Sequence, residues 1–439
     1  MKVSLLDGYP FHYEISDGET TVEFDRGMPL ETTREAFRIA NNKYKTLDML
    51  KASNVSVPNF RLVDNHFTSE QGMLDLASEI GFPLVIKPLS SSRGKGVFTN
   101  IKNNEKLLSH YKHIIDDLGY SKVIIESHFE GEDYRVQVVG DKVAAVTWRK
   151  PASVTGDGER TISELISEKN ERRRKNPALS RDALKADIEV DSYLEAQGFT
   201  YDSIPLQDEH VRLRGKANIS TGGELIDVTE WLPSEIGETA VRAVASIPGL
   251  EAAGVDVLIK GKEGQTGYSH VVIELNPRAH LGGHMFPSEG PGHNAAGAFI
   301  DRYFPATSPQ QVENNKRVSI RINELLGPLR QGSAERVVVA PAATQGYPRR
   351  ERLEFPSTKN LSLIERRRIA REARRLEVSG QLARGETVTK LTVAGGDLEV
   401  RTLVKYVSKT LGVDPASRTH WSGVVWHGFK VDESVSSGV

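Results

Sequence analysis

Residues 253–259, AGVDVLI, and 271–278, VVIELNPR, each set one acid inside an apolar run. Both runs have the length and β-branched content of strands. A carboxylate among apolar neighbours is costly to bury without a partner, so Asp256 and Glu274 call for an explanation. Glu274 and Asn276 stand two apart, which in a strand turns both to one face. Two acids and an amide oxygen make an all-oxygen set suited to Mg²⁺, or to Mn²⁺ in its place. Such an ion would neutralise charge on a triphosphate during phosphoryl transfer. Two unrelated buried acids are the plainer alternative.

Working outward, FPLVIKPL (82–89) is another buried strand, and Lys87 stands near its end. The loop that follows, LSSSRGKGV (89–97), contains Ser91 and Lys95 and is small enough for backbone N–H groups to approach phosphate oxygens. A surface hairpin with a convenient lysine reads equally well, and no GxxxxGK[ST] loop occurs. VIIES (123–127) is a further strand, ending in Glu126, with Asp133 seven residues on in ESHFEGEDYR. YRVQVVGDKVAAVTWRKP (134–151) has the pattern of a hairpin turning at Gly140 and Asp141. KYKTLDMLKASNV (43–55) has helical spacing. Residues 159–200 switch to helix formers and charge. Strand and helix signals then alternate to Pro305, so the class is α+β or α/β.

Arg214 precedes glycines and Asn218 in VRLRGKANISTGG, where its fork of donors could clamp a phosphate or carboxylate, or simply form a structural ion pair. His280 and His284 in HLGGH are four apart, but the two glycines between them argue for a loop and against zinc.

Composition bounds these readings. At 439 residues the chain should form two or three domains. A net charge of −2 with 26% charged residues marks an ordinary globular surface with no nucleic-acid partner. The absence of cysteine excludes thiolate metal sites and a cysteine nucleophile, and fits a reducing cytoplasm. The N-terminus lacks an apolar signal core, and no run is long enough for a membrane helix.

Taken in order, NNKYKTLDMLKASNVSVP, FPLVIKPLSSSRGKGV, ESHFEGEDYRV, RKPASVTGDGERTISELI, LRGKANISTGGELIDVT, GLEAAGVDVLI and VIELNPRAHLGGHMFPSEGPGHN resemble the ATP-grasp superfamily. The likeness lies with the branch of cyanophycin synthetase and the ligase half of bifunctional glutathione synthetase, and spans about residues 28–305. It implies an α+β fold of two lobes gripping ATP. On matching positions, Lys43 and Lys87 are implied to bind ATP with Ser91 and Lys95 of the loop, Glu126 to lie beside the adenine and Asp133 to face the ribose. Asp256, Glu274 and Asn276 are implied as metal ligands, Arg214 and Asn218 as catalytic stabilisers, and His284 with Ser288 as the substrate end. The implied reaction joins a carboxylate to an amine through an acyl phosphate, releasing ADP and phosphate, on amino-acid or peptide substrates. A non-catalytic ATP-binding scaffold and a ligase acting on a peptide or protein are the rivals. The branch usually carries a large domain ahead of the grasp, and cyanophycin synthetase a Mur-ligase-like one after it. Only some forty residues precede Lys43 here, so substrate identity does not carry over.

The expected division is a segment 1–42 packed on the grasp, the grasp at 43–305, a linker at 306–316, and a C-terminal domain at 317–439. In the last, IAREARRLEVSGQL (369–382) and TVTKLTVAGG (387–396) resemble an acylphosphatase-like, ferredoxin-type fold. The phosphate cradle of that family is replaced by NLSLIER, which has Arg366 but no glycine, and its asparagine position by Arg384. A binding or dimerising module is therefore expected, serving a peptide partner or a homodimer, with no membrane partner.

Overall fold

The computed structural model describes residues 1–7, 11–91, 94–261, 267–307, 318–340, 342–343, 346–357 and 359–432. Internal contacts divide the chain into Phe24–Pro305 and a second unit made of Met1–Glu23 with Ala306–Val439.

The two larger sheets within Phe24–Pro305 are antiparallel. The four-stranded one runs Phe60–Asp64, Lys122–Ser127, Leu84–Pro88, Phe98–Ile101. Its apolar face, with Leu84, Ile86, Val123 and Ile125, packs on helices Glu70–Ile80 and Asn104–Lys112 through Met73, Ala77 and Leu107. The five-stranded one runs Glu224–Asp227, Lys142–Lys150, Glu132–Val139, Ala252–Lys260, Ser269–Asn276. Strict alternation along Glu132–Val139 sends Tyr134, Val136 and Val138 into the core against helix Ser234–Ala245, whose Ile236, Ala240, Ala243 and Val244 recur at helical spacing. The other face is left for Asp133, Arg135 and Gln137.

Two register shifts decide what that second face displays. An unbroken register from the two-residue turn at 140–141 would set Asp133 opposite Trp148. The slip between Val143 and Ala145 sets it opposite Arg149. Likewise Val257 pairs with Val272 but Asp256 pairs with Glu274, so Ile273 is an extra residue. Val272 and Leu275 both reach the core. This bulge brings Glu274 and Asn276 to the face of Asp256, which a plain alternation from Val272 would not do.

An insertion at 152–223 has its own core of Val154, Ile162, Leu165, Val190, Leu194 and Val211 under the strand pair Ser153–Thr155 and His210–Arg212. Its helix Ile162–Lys175 opens on a reciprocal cap between Thr161 and Glu164.

In the second unit, Lys2–Leu6 lies between His12–Ser16 and Arg336–Val338, antiparallel to both, with Leu5, Leu326 and Leu329 buried beneath. Residues 1–42 are thus not one segment on the grasp. Lys2–Leu6 finds one of its two sheet partners more than three hundred residues later, and Met1–Glu23 groups with Ala306–Val439. The contact boundary falls after Pro305, and residues 308–316 of the expected linker at 306–316 lie outside the described residues.

From Arg349 the order is strand Arg349–Pro356, helix Leu363–Arg375, strands Ser379–Arg384 and Val388–Gly395, helix Asp397–Leu411, strand Ser417–His420. The last strand pairs with the first, the first with the third and the third with the second, all antiparallel, which is the ferredoxin-like split βαβ arrangement. Phe429–Asp432 adds a parallel strand beside Ser379–Arg384. At the NLSLIER segment, Ser362 and Glu365 cap their own helix reciprocally, so amides at its start are already engaged.

Candidate active site

The second face of the five-stranded sheet gathers ionic groups that its neighbours cannot leave unpaired. Asp256 is 4% exposed. It lies directly across from Arg135, which donates to both carboxylate oxygens, the Nη2 contact being 3.0 Å. Arg149 reaches Asp256 at 3.1 Å and its own cross-strand partner Asp133 at 2.5 Å. Burial alone would raise the Asp256 carboxyl, but the Arg135 and Arg149 guanidiniums outweigh it and hold it below the ordinary carboxylate range. Gly254, on the same face, has no room for a side chain, because a Cβ would come 2.7 Å from Arg135 Cδ.

Glu274 and Asn276 stand beside this cluster, with Asn276 Nδ2 3.4 Å from Asp256. Lys43 ties Glu274 to the start of the loop after Leu84–Pro88: its Nζ donates to Ser91 O at 2.7 Å and lies 3.4 Å from Glu274 Oε1. The Ser91 hydroxyl is buried and has no hydrogen-bond partner among the described residues. Lys95 is exposed on the same loop. Lys216 donates to Gly94 O at 3.2 Å and Val97 O at 2.9 Å. Gly94 has φ +71°, and a Cβ there would sit 3.3 Å from Asn218 Nδ2. Asn218 therefore borders the loop.

Lys87 and Glu126 form a buried ion pair at 2.6 Å on adjacent strands of the four-stranded sheet. Arg214, also buried, is taken up by Asp187 at 2.5 Å, Glu189 at 2.7 Å and Lys185 O at 3.1 Å, the ion-pair reading of that residue. Ser288 clasps Leu225 with its hydroxyl and its amide. His284 is 2% exposed, and its Nδ1 has no partner among the described residues. Burial first, then the charge of Arg135, pushes its imidazole down to about 3, so it is neutral.

Could Asp256, Glu274 and Asn276 hold a divalent ion? The donors are oxygens on facing strand positions, and Glu274 is a third exposed with only Lys43 near. No cluster of three or more acids or histidines capable of holding a metal alone occurs among the described residues. The set fits an ion that completes its shell with water and phosphate oxygens, as Mg²⁺ does.

Arg135, Arg149 and Lys216 escaped the sequence reading, as did the Asp227–His293 pair at 2.9 Å, which also draws in Glu230. Arg135 could have been found, being two residues from Asp133 and so on its face. Arg149 depended on the bulge.

The fold described above is of the ATP-grasp type, and residues 40–158 match the RimK-like ATP-grasp domain. The chain therefore carries a domain of that family. It is 32% identical over 277 residues to cyanophycin synthetase of Synechocystis sp., covering 62% of this chain and 31% of that protein. It is 31% identical over 315 residues to the glutathione biosynthesis bifunctional protein GshAB of Clostridium perfringens, covering 69% and 39%. Among solved structures, a bifunctional glutathione synthetase from Pasteurella multocida matches with TM-score 0.53 and 26% identity, over 68% of this chain and 41% of that one. The chain thus spans between 31% and 41% of the length of these relatives.

Proposed function

We propose that the chain is an ATP-dependent carboxylate–amine ligase acting on amino acids or peptides. The observation that carries the reading is the bulged strand pair, which turns Asp256, Glu274 and Asn276 to one face beside Arg135, Arg149 and Lys43. A retained scaffold would have no need of this donor set.

ATP supplies the transferable phosphoryl group, and Mg²⁺ or Mn²⁺ held by Asp256, Glu274 and Asn276 would neutralise its charge. Lys43, and Lys87 once drawn from Glu126, offer cations to the phosphates. The loop at 94–97, pinned by Lys216, offers backbone amides. Glu126 is assigned to the adenine side and Asp133 to the ribose. Arg149 and Arg135, prepositioned by carboxylates, are ready to stabilise negative charge on the acyl phosphate and on the tetrahedral state; Asn218 borders the same space, with Arg214 anchoring its segment. Neutral His284, with Ser288 nearby in sequence, is assigned to the substrate end. The substrate carboxylate attacks the γ-phosphate and ADP leaves. The amine then attacks the acyl phosphate and phosphate leaves, so no protein nucleophile is needed. A cysteine-free chain supports a cytoplasmic setting; no helix among the described residues is long and apolar enough to cross a membrane.

The test is mass spectrometry of reactions containing ATP, Mg²⁺ and pooled amino acids and dipeptides, with ADP and phosphate followed in parallel. A condensed product in step with ADP and phosphate supports the ligase. ATP binding without any ADP formation, even with peptides as acceptors, favours the scaffold.

A further inference from the structure

The ferredoxin-like domain ends its sheet in an open edge. Among the described residues Ser417–His420 pairs only with Arg349–Pro356, and all four of its residues are exposed. Beside this strand, helix Asp397–Leu411 buries Val400, Leu403, Val404, Val407 and Leu411 and turns Arg401, Lys405 and Lys409 outward. Helix, following turn and strand enclose a groove of about 570 Å³. Its cations are Arg401, Lys405, Lys409 and Arg418, against the single acid Asp414. Arg401 is matched by Asp397 at 3.0 Å and Arg418 by Glu351 at 3.6 Å. Among the described residues, Lys405 and Lys409 have no carboxylate partner.

We propose that this groove docks an extended acidic peptide, which adds to the Ser417–His420 edge as a further strand and carries Asp or Glu at every second position. The spacing favours that pattern. Cations four apart on a helix recur every ~6 Å, and alternate side chains of a strand every ~6.6 Å, so successive acids can meet Arg401, Lys405 and Lys409 in step. Main-chain bonds to the open edge would give affinity and the cations selectivity. A nucleic acid fits less well, because the groove lining contains no aromatic ring on which a base could stack. The inference draws on the ligase reading only for what the docked peptide is for, as substrate or tether; docking itself needs no ATP.

The experiment is fluorescence anisotropy of the full chain, without nucleotide, using a labelled octapeptide alternating Asp and Ala. An octapeptide of the same composition with its acids in one block and an eight-residue oligouridine serve as comparators. Expected are saturable binding of the alternating peptide that weakens with salt, weaker binding of both comparators, and a loss of about tenfold or more in the double variant Lys405→Glu/Lys409→Glu. Circular dichroism confirms the fold of that variant, and ADP formation with small acceptors should be unchanged. The proposal is overturned if the alternating peptide does not bind, if the charge reversal leaves its binding intact, or if either comparator binds as well through the same lysines. Since these readings are made without ATP, an inactive ligase cannot produce them.

Discussion

Asp256 and Glu274 divide a task. Asp256 is held by two guanidiniums and orders the cluster, whereas Glu274, a third exposed and near Lys43, is the member of the proposed metal set more open to an incoming ion. Glu274→Ala is therefore expected to lower ADP formation by ~10²–10³-fold, as loss of a charge-stabilising group does, with the thermal transition nearly unmoved. Undiminished turnover in that variant would remove Glu274 from the metal set. His284 makes a prediction of a different kind. Its imidazole titrates near 6.5 when unfolded and at about 3 when folded. Between those values the unfolded chain binds a proton the folded chain refuses, so stability falls as pH falls. From pH 6.5 to 5 the protein should lose ~2 kcal/mol that a His284→Asn variant does not lose, by urea unfolding at both pH values. Equal losses would mean the ring is protonated in the fold.

At the scale of elements, helix Ile162–Lys175 holds the segment next to Asn218. Arg173 is buried, and its guanidinium donates to Asp182 O and Gly223 O at 2.7 Å and Ile219 O at 2.8 Å. Arg173→Met leaves three carbonyls short of a donor and should cost ~2–4 kcal/mol. Thr161→Ala, which removes only the exposed cap of the same helix, should cost ~1 kcal/mol. Denaturation midpoints compare the two, and equal costs would show that the clamp contributes no more than a cap. Arg173 also shows where the sequence stops being readable. In ERRRKN every arginine looks like part of a solvated face, and only the surrounding carbonyls single one out. The strands around Asp256 and Glu274 were legible because acids in apolar runs are costly. The pairings Asp133–Arg149 and Asp256–Glu274 were not, because each rests on a bulge that alternation cannot foresee. In the ferredoxin-like part, the resemblance carried by residues 369–382 and 387–396 suggested the fold type, while the opening strand Arg349–Pro356 was not read. The pairing of Lys2–Leu6 with Arg336–Val338 did not, since nothing local in a short strand names a partner so distant.

For the whole molecule, the contact division predicts that residues 24–305 form a self-sufficient ATP-binding body. At a hundredfold excess over Kd, a nucleotide stabilises its binder by about 2.7 kcal/mol, worth several degrees of thermal shift. A chain of residues 24–305 should show that shift with MgATP by scanning fluorimetry. Residues 1–305 should show it too, but scatter light on warming, because Lys2–Leu6 is left with an unpaired edge. No shift at 24–305 alongside a shift in the full chain would place part of the nucleotide site outside that body.

The same strand sets a timetable for synthesis. The stretch containing Lys2–Leu6 leaves the ribosome well ahead of its partner at Arg336–Val338, which is translated about 330 residues later. At ordinary elongation rates that is a wait of roughly 15–60 s, long enough for the intervening ATP-grasp body to fold. The nascent strand thus spends the synthesis of the intervening residues with one edge bare, and a chaperone engaging the emerging chain should dwell there until the later strand arrives.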